Sequence, residues 1–299
     1  MALSKQNFRS VAMPMAMVVG ALLCRPLAVV EEVTAHMLTP LLIASMLFIT
    51  FCRVDIKTMR LKMIHLWMLL VQFVGCVVVY YATLPLLGEC VAQGAMICVM
   101  APIAMAAVVI GGMLGADLNT MATYSLICNI VTAAIAPIIL HAFGNGSCTF
   151  AEIAGRVIPT LVAPFVVAQL LRWLTPKVAA AIAARSSISF YLWLTALILV
   201  LGRTTAFILD TDADPLIEVE LALVALVLCI AQFSIGRLLG RLAGDVVVGG
   251  QCVGQKNTIL VVWMSLNFLN PVSSVAPTAY IVWQNLVNSY QVYKAGKRR

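Results

Sequence analysis

Between Asp245 and Lys294, 48 residues carry a single charge, Lys256, set in Gly-Gly-Gln-Cys-Val-Gly-Gln-Lys-Asn-Thr at 249–258. The flanking segments, Val246–Val248 and Ile259–Leu269, are mostly apolar and together long enough to cross a bilayer. An ammonium near the middle of such a span costs ~2.5–3.5 kcal/mol on insertion scales, so it faces a cavity or a partner unless it can snorkel to an interface. Lys256 lies about ten residues from either end of its span, too deep for easy snorkelling. The glycines and the Gln/Asn pair around it interrupt the helical pattern, and irregular backbone at membrane depth is tolerated where it lines a site. The chemistry on offer is that of a positive charge held at a helix break.

Other reactive combinations are missing. No metal-ligand cluster, phosphate-binding loop or nucleophile–base–acid set can be read in the chain, so neither an enzyme nor a resident cofactor is expected. The nine cysteines show no C-x-x-C spacing and mostly fall in apolar segments, where a thiol packs as a small hydrophobe. Cys90 and Cys148 both fall in expected outer connections, where a disulfide between them is conceivable.

The elements that position Lys256 follow from composition. Hydrophobic residues make up 63% of the 299 and charged residues 10%, far below the ~25% charged of soluble domains, which places the chain among integral membrane proteins in contact with the lipid bilayer. Ten spans are expected at 10–24, 37–52, 64–87, 91–114, 118–141, 157–174, 187–208, 217–239, 246–269 and 271–293. Placing both termini inside puts fifteen of the nineteen Lys and Arg residues on the cytoplasmic side and leaves Arg25, Arg156 and Arg203 outside, the asymmetry expected of a multi-pass plasma (inner) membrane protein. The +7 net charge thus sits in short loops and is no sign of nucleic-acid binding.

Two halves of five spans, 10–145 and 155–295, must have opposite orientation, which predicts an inverted repeat within a single membrane domain over 1–299. Gln72-Phe73 in the third span matches Gln232-Phe233 in the eighth. The fourth and ninth spans are both interrupted, by Ala101-Pro102 and Gly111-Gly112 in one and by Gly249-Gly250 and Gly254 in the other. Paired interrupted helices point to a binding site at the bilayer midplane. Asn119 is expected to cap the fifth span, His65 and His141 to lie at interfaces, and Asp117 to be a solvated turn residue.

Gly254-Gln255-Lys256-Asn257-Thr258, followed by Phe268, Pro271, Pro277, Tyr280 and Trp283-Gln284-Asn285, resembles the last two helices of the bile acid:sodium symporter family. Ala101-Pro102 with Asn119, Thr123 and Ala136-Pro137 resembles that family's fourth and fifth helices, Gln72-Phe73 its third, and Met46 to Arg53 its second. The resemblance covers most of the chain. It implies an all-α fold of ten helices in two inverted repeats. A core of helices 3–5 and 8–10, with broken helices 4 and 9 crossing at the midplane, would move against a panel of helices 1, 2, 6 and 7. It also implies transport of organic anions, usually with sodium.

This sequence departs from the family at the cation ligands. The family's glutamate falls on Cys252, its next glutamine on Lys256 and its Ser-Asn pair on Ala107-Val108, while Gln255 lies in the same run. Gln72, Asn257 and Thr123 are the oxygen ligands that remain. Replacing a carboxylate and adding an ammonium makes the position repulsive to sodium by several kcal/mol at ~20 effective dielectric, so sodium is not expected at the crossover. Two roles for Lys256 stay open. It replaces the bound cation, donating to Gln72, Asn257 and unwound carbonyls, or it pairs with a substrate carboxylate beside Asn257, Gln284, Asn285 and Thr123. The expected function is a secondary transporter of a small or amphipathic organic anion without conventional sodium coupling. The alternative is a transporter-derived binding or sensor protein.

Overall fold

The structure, a computed structural model, describes residues 15–296 apart from 36, 53, 55, 57, 58, 145, 147, 148, 185 and 211–213. Among these residues the regular elements are helical: α1 (15–22), α2 (Cys24–Val33), α3 (Leu38–Phe51), α4 (Met63–Met100), α5 (Met105–Leu114), α6 (Leu118–Phe143), α7 (Phe150–Leu174), α8 (Pro176–Ala184), α9 (Ser186–Asp210), α10 (Pro215–Leu242), α11 (Val246–Gly254), α12 (Thr258–Phe268), a 3-10 turn (Pro271–Ser274) and α13 (Val275–Gly296). Four of them, α4, α6, α7 and α10, are each long and apolar enough to cross a membrane, and α2 with α3, bent by 84°, would make a fifth. The Cys90–Cys148 pairing falls on Cys148, outside the described residues.

The boundaries follow local chemistry. Asp214, Asp245, Asn257 and Asn270 cap α10, α11, α12 and the 3-10 turn through side-chain oxygens that accept first-turn amides. Asp117, not Asn119, caps α6, accepting from the amides of Asn119 and Thr120. α4 runs through the expected gap between the third and fourth spans with one non-helical residue, Gly88, at φ 79°, a conformation glycine adopts without steric cost. A second difference lies at 24–33, expected as a connection and found as α2.

Two compact units divide the chain, one of residues 1–53 and 163–213 and the other of 54–162 and 214–299. In the first, α2 lies antiparallel to the end of α9. Arg25 pairs with Asp210 at 2.5 Å on the surface, while Glu31, expected in an outer loop, is buried with Arg203 Nη1 3.8 Å away. In the second, α10 and α11 touch backbone to backbone: a Cβ on Gly249 would lie 2.1 Å from the Gly236 carbonyl and 2.6 Å from the Gly240 nitrogen. Gly249 and Gly250 therefore do not break the helix where the ninth span is expected. They sit inside α11 and allow it to approach α10, as small residues do in membrane helix pairs.

At one end of this second unit, Lys62 Nζ donates to Asp117 Oδ2 at 3.0 Å and to Thr120 Oγ1 at 2.6 Å, while the Asp117 amide donates to Asp245 Oδ2 at 3.0 Å. The caps of α6 and α11 are thereby joined. His65 is buried beside them rather than interfacial, its Nδ1 accepting from the Lys62 amide.

Gly249→Ala should lower stability by ~1–3 kcal/mol, because the α10 backbone that the new methyl would meet cannot yield. Gly155→Ala, with no atom within 4 Å of the new methyl, should be neutral or slightly stabilising. Melting curves of the purified protein compare the two, and equal melting temperatures would refute the close α10–α11 contact. The Thr120 hydroxyl and the Lys62 ammonium hold the Asp117 carboxyl well below the usual carboxylate range. Its contribution is therefore fully present above the unfolded value of ~3.9 and is lost as pH falls through the folded value. With the side chain 44% exposed, screening limits this to ~1 kcal/mol or less. Asp117→Asn should melt lower than wild type at pH 7 and lose less of its stability on acidification below pH ~4.

Candidate functional site

The site begins where α4 must stop. Pro102 has no amide hydrogen and disfavours helical geometry at the residue before it, so Ala101 turns extended (φ −48°, ψ 131°) and the chain resumes as α5 only at Met105. In the second half, α11 ends at Gly254, Gln255 is extended (φ −95°, ψ 105°), and α12 starts at Thr258. The two unwound pieces meet as a short antiparallel bridge between Ile103 and Lys256. The Ala104 amide donates to the Gln255 carbonyl at 2.9 Å and the Asn257 amide to the Pro102 carbonyl at 2.7 Å.

Gln284 of α13 completes the other side of the strand-like piece. Its Oε1 accepts from the Lys256 amide at 2.9 Å and its Nε2 donates to the Lys256 carbonyl at 3.3 Å, so the side-chain amide does what a third strand would do. Asn285, its neighbour, turns back onto the Ile281 carbonyl of its own helix at 2.6 Å.

The Lys256 side chain is 1% exposed. Its ammonium donates to the carbonyls of Val99 and Ala101, both at 3.0 Å. Gln72 Nε2 donates to the carbonyl between them, Met100, at 2.7 Å, while Gln72 Oε1 accepts from the Tyr124 hydroxyl at 3.0 Å and from Cys128 Sγ at 3.1 Å. Three successive carbonyls at the C-terminal end of α4 thus receive side-chain donors. A helix end carries unpaired acceptors and about half a negative charge, and the ammonium answers both. Among the described residues, the ionisable groups close enough to act on its charge are the thiols of Cys128, Cys76 and Cys98. Gln72 and Asn257, expected to accept from the ammonium, do not. Gln72 shares its carbonyl row, and Asn257 Oδ1 caps α12.

A related arrangement closes the second break. Gln232 Nε2 donates to the Tyr280 hydroxyl at 3.2 Å, and that hydroxyl donates to the Gly254 carbonyl at 2.8 Å. Each break is therefore held by a glutamine and a tyrosine, Gln72 with Tyr124 and Gln232 with Tyr280. Tyr124 was not singled out from sequence, and Tyr280 only as part of the family resemblance; their shared signal is a Tyr on the helix that follows each broken pair, α6 and α13.

The remaining candidates separate from the ammonium. Cys252 and Ala107 lie in one apolar cluster with Met68, Ile103, Met121 and Tyr124, and Val108 packs against it. A hard cation finds no oxygen ligands from these three side chains. Thr123 Oγ1 is turned onto the Asn119 carbonyl at 2.8 Å, and Gln255 is buried with Oε1 unpartnered. Sequence reasoning also missed Gln251, whose Nε2 donates to Asn288 Oδ1 and Gln291 Oε1, both at 3.1 Å, tying α11 to α13.

No protein-family model matches the chain, and comparison with characterised proteins finds no match.

Chemically, the arrangement is an interrupted pair of helices whose free carbonyls are neutralised by a cation belonging to the chain. If Gln284 braces this crossing, Gln284→Leu should destabilise by ~1–3 kcal/mol, because the buried Lys256 amide and carbonyl lose a partner. Asn285→Leu, which removes only a bond within one helix, should cost less. Chemical or thermal unfolding of both variants decides this, and the reverse ranking would refute the brace.

Proposed function

We propose that this protein is a membrane transporter that moves a small or amphipathic organic anion by alternating access, and that Lys256 stands permanently where a carrier of this kind would bind its coupling cation. The observation that carries the reading is the Lys256 ammonium on the Val99 and Ala101 carbonyls. A carbonyl row at a helix break is the setting in which transporters coordinate a cation. An ammonium in that place leaves no net attraction for sodium.

Other observations support the reading. The paired breaks fall in the expected fourth and ninth spans, and each carries its own Gln–Tyr pair, as an inverted repeat would. With α4 counted as two spans at Gly88, and α5, α11 and α12 as halves of broken spans, ten crossings are accommodated. The unit of residues 1–53 and 163–213 matches a panel, and that of 54–162 and 214–299 matches a core. The distribution of Lys and Arg favours the plasma membrane with both termini in the cytoplasm. The likeness to the bile acid:sodium symporter family supplies the substrate class. A second reading, a binding or sensor protein derived from a transporter, is favoured by one fact: the crossover holds a cation that cannot leave.

A thermal-shift screen of carboxylates on the purified protein should identify a ligand, and counterflow of that ligand in proteoliposomes then separates carrier from sensor. Exchange is expected at equal rates in sodium and choline media; a steep, saturable sodium dependence would refute the built-in cation, and binding without exchange would favour the sensor. Lys256→Met should abolish exchange and lower stability by ~1.5–3 kcal/mol, since the Val99 and Ala101 carbonyls lose a charged donor. Stability that holds or rises would mean the charge is unpaired and kept for the substrate.

A further inference from the structure

Among the described residues Glu31 is the one buried carboxylate, with 0% exposure, and it lies in the unit of residues 1–53 and 163–213. Its Oε1 accepts from the Thr39 hydroxyl at 2.5 Å, but its Oε2 has no hydrogen-bond partner. Arg203, its side chain 14% exposed, faces that oxygen with Nη1 at 3.8 Å, beyond hydrogen-bond reach. A guanidinium has five N–H donors in a planar fork, and among the described residues none of them is hydrogen-bonded. Two opposite charges are thus nearly buried, adjacent and unjoined. A permanent structural ion pair is stable in such a setting only when its geometry is good and its donors and acceptors are met. The surface pair on the same seam, Arg25 with Asp210 at 2.5 Å, shows that α2 and α9 do allow close pairing.

Among the described residues of the elements packed against it, nothing else competes for Glu31. α9 brings Arg203 and, further along, Asp210, which is already joined to Arg25. α3 has no ionisable residue and contributes the Thr39 hydroxyl, α1 has none over 15–22, and Glu32, the adjacent acid on α2, is exposed.

From this geometry we infer that Glu31 and Arg203 form an exchange pair for a carboxylate ligand and a proton. The ligand's carboxylate takes the Arg203 fork, to which a planar carboxylate is matched. Glu31, left without its counter-charge, takes a proton from solvent on Oε2 and becomes a neutral acid. The step balances: an ionised pair, one carboxylate anion and one proton become a guanidinium–carboxylate pair and one protonated glutamic acid. Anion and proton enter together, so the loaded site carries the same net charge as the empty one. This rests on the transporter reading and gives it a coupling ion, the proton, and an anchoring residue, Arg203.

The test uses the full-length protein in detergent, with acetate and phenylacetate as probes, and measures proton uptake with an indicator in weakly buffered solution. Wild type should take up about one proton per probe bound, so that affinity falls about tenfold per pH unit over the range in which that uptake is observed. Glu31→Gln should bind more tightly, without proton uptake and without pH dependence. Arg203→Lys keeps the charge but loses the fork and should bind at least about tenfold more weakly, the equivalent of one charge-assisted hydrogen bond. Because Arg203→Gln would strand the Glu31 charge, the double variant Glu31→Gln/Arg203→Gln serves as the folded, non-binding control. Probe binding without proton uptake, or unchanged binding in Arg203→Lys or the double variant, overturns the exchange pair and leaves the transporter reading standing. Absence of binding by either probe also overturns it, and counterflow of the screened ligand then judges the transporter reading separately.

Discussion

Interrupting a helix away from water leaves carbonyls and amides that must find partners within the protein, and everything in the larger unit is arranged around meeting that need twice in one place. Each break supplies the other with a short strand partner through Ile103 and Lys256. Gln284 then satisfies the outer edge of one piece, while Lys256 and Gln72 satisfy the last carbonyls of α4. The close approach of α11 to α10, permitted by Gly236, Gly240 and Gly249, positions the second break. The caps at Asp117 and Asp245, joined through the Asp117 amide, tie the starts of α6 and α11 together.

A tethered cation at the break differs from a dissolved one in a way that matters for energetics. A bound sodium ion contributes its stabilisation only while it is present, so its departure can be linked to a change of state. An ammonium on a four-carbon stem contributes all the time. It therefore stabilises one geometry of the crossing without offering a means of coupling, and any coupling must come from a group that can change its partner. The side chains of Cys252 and Ala107, which stand where the family's cation ligands are expected, contribute packing and supply no such group.

Much of this was legible in the residues. The break after Met100 follows from Ala101-Pro102, and the pairing of breaks follows from the repeated Gln-Phe steps and the interrupted fourth and ninth spans. Lys256 stood out because a lone charge in 48 residues has few places to go. Less visible was the role of each glycine: Gly249 and Gly250 read as helix breakers, yet a helical glycine pressed against another backbone looks the same in sequence. The partners of the ammonium were hidden for a related reason, since main-chain carbonyls carry no residue identity and every position offers one. Asp117 was undervalued as a turn residue because its capping of α6 depends on which residue takes extended geometry. α2 was missed because Arg25, Glu31 and Glu32 make a charged stretch that resembles a connection, while two of those charges are matched only across to α9, 185 residues away in the case of Arg25.

Lys256 and Glu31, the two charged side chains fully buried among the described residues, are handled in opposite ways, and the difference bears on which of them can act. Lys256 is met by neutral dipoles with good hydrogen-bond geometry, so moving it would expose an ammonium and strip two carbonyls at once. Glu31 is met by a full opposite charge that comes near without bonding, so although the Thr39 hydroxyl holds Oε1, no directional contact joins the two charges. Coulomb attraction at 3.8 Å falls off slowly with distance, whereas a hydrogen bond is lost within a fraction of an ångström. A pair held by the first kind of force alone tolerates small rearrangements, and its balance changes as soon as a better-shaped anion or a proton arrives. The fold thus keeps one charge fixed where backbone needs it and leaves the other where its partner can be replaced.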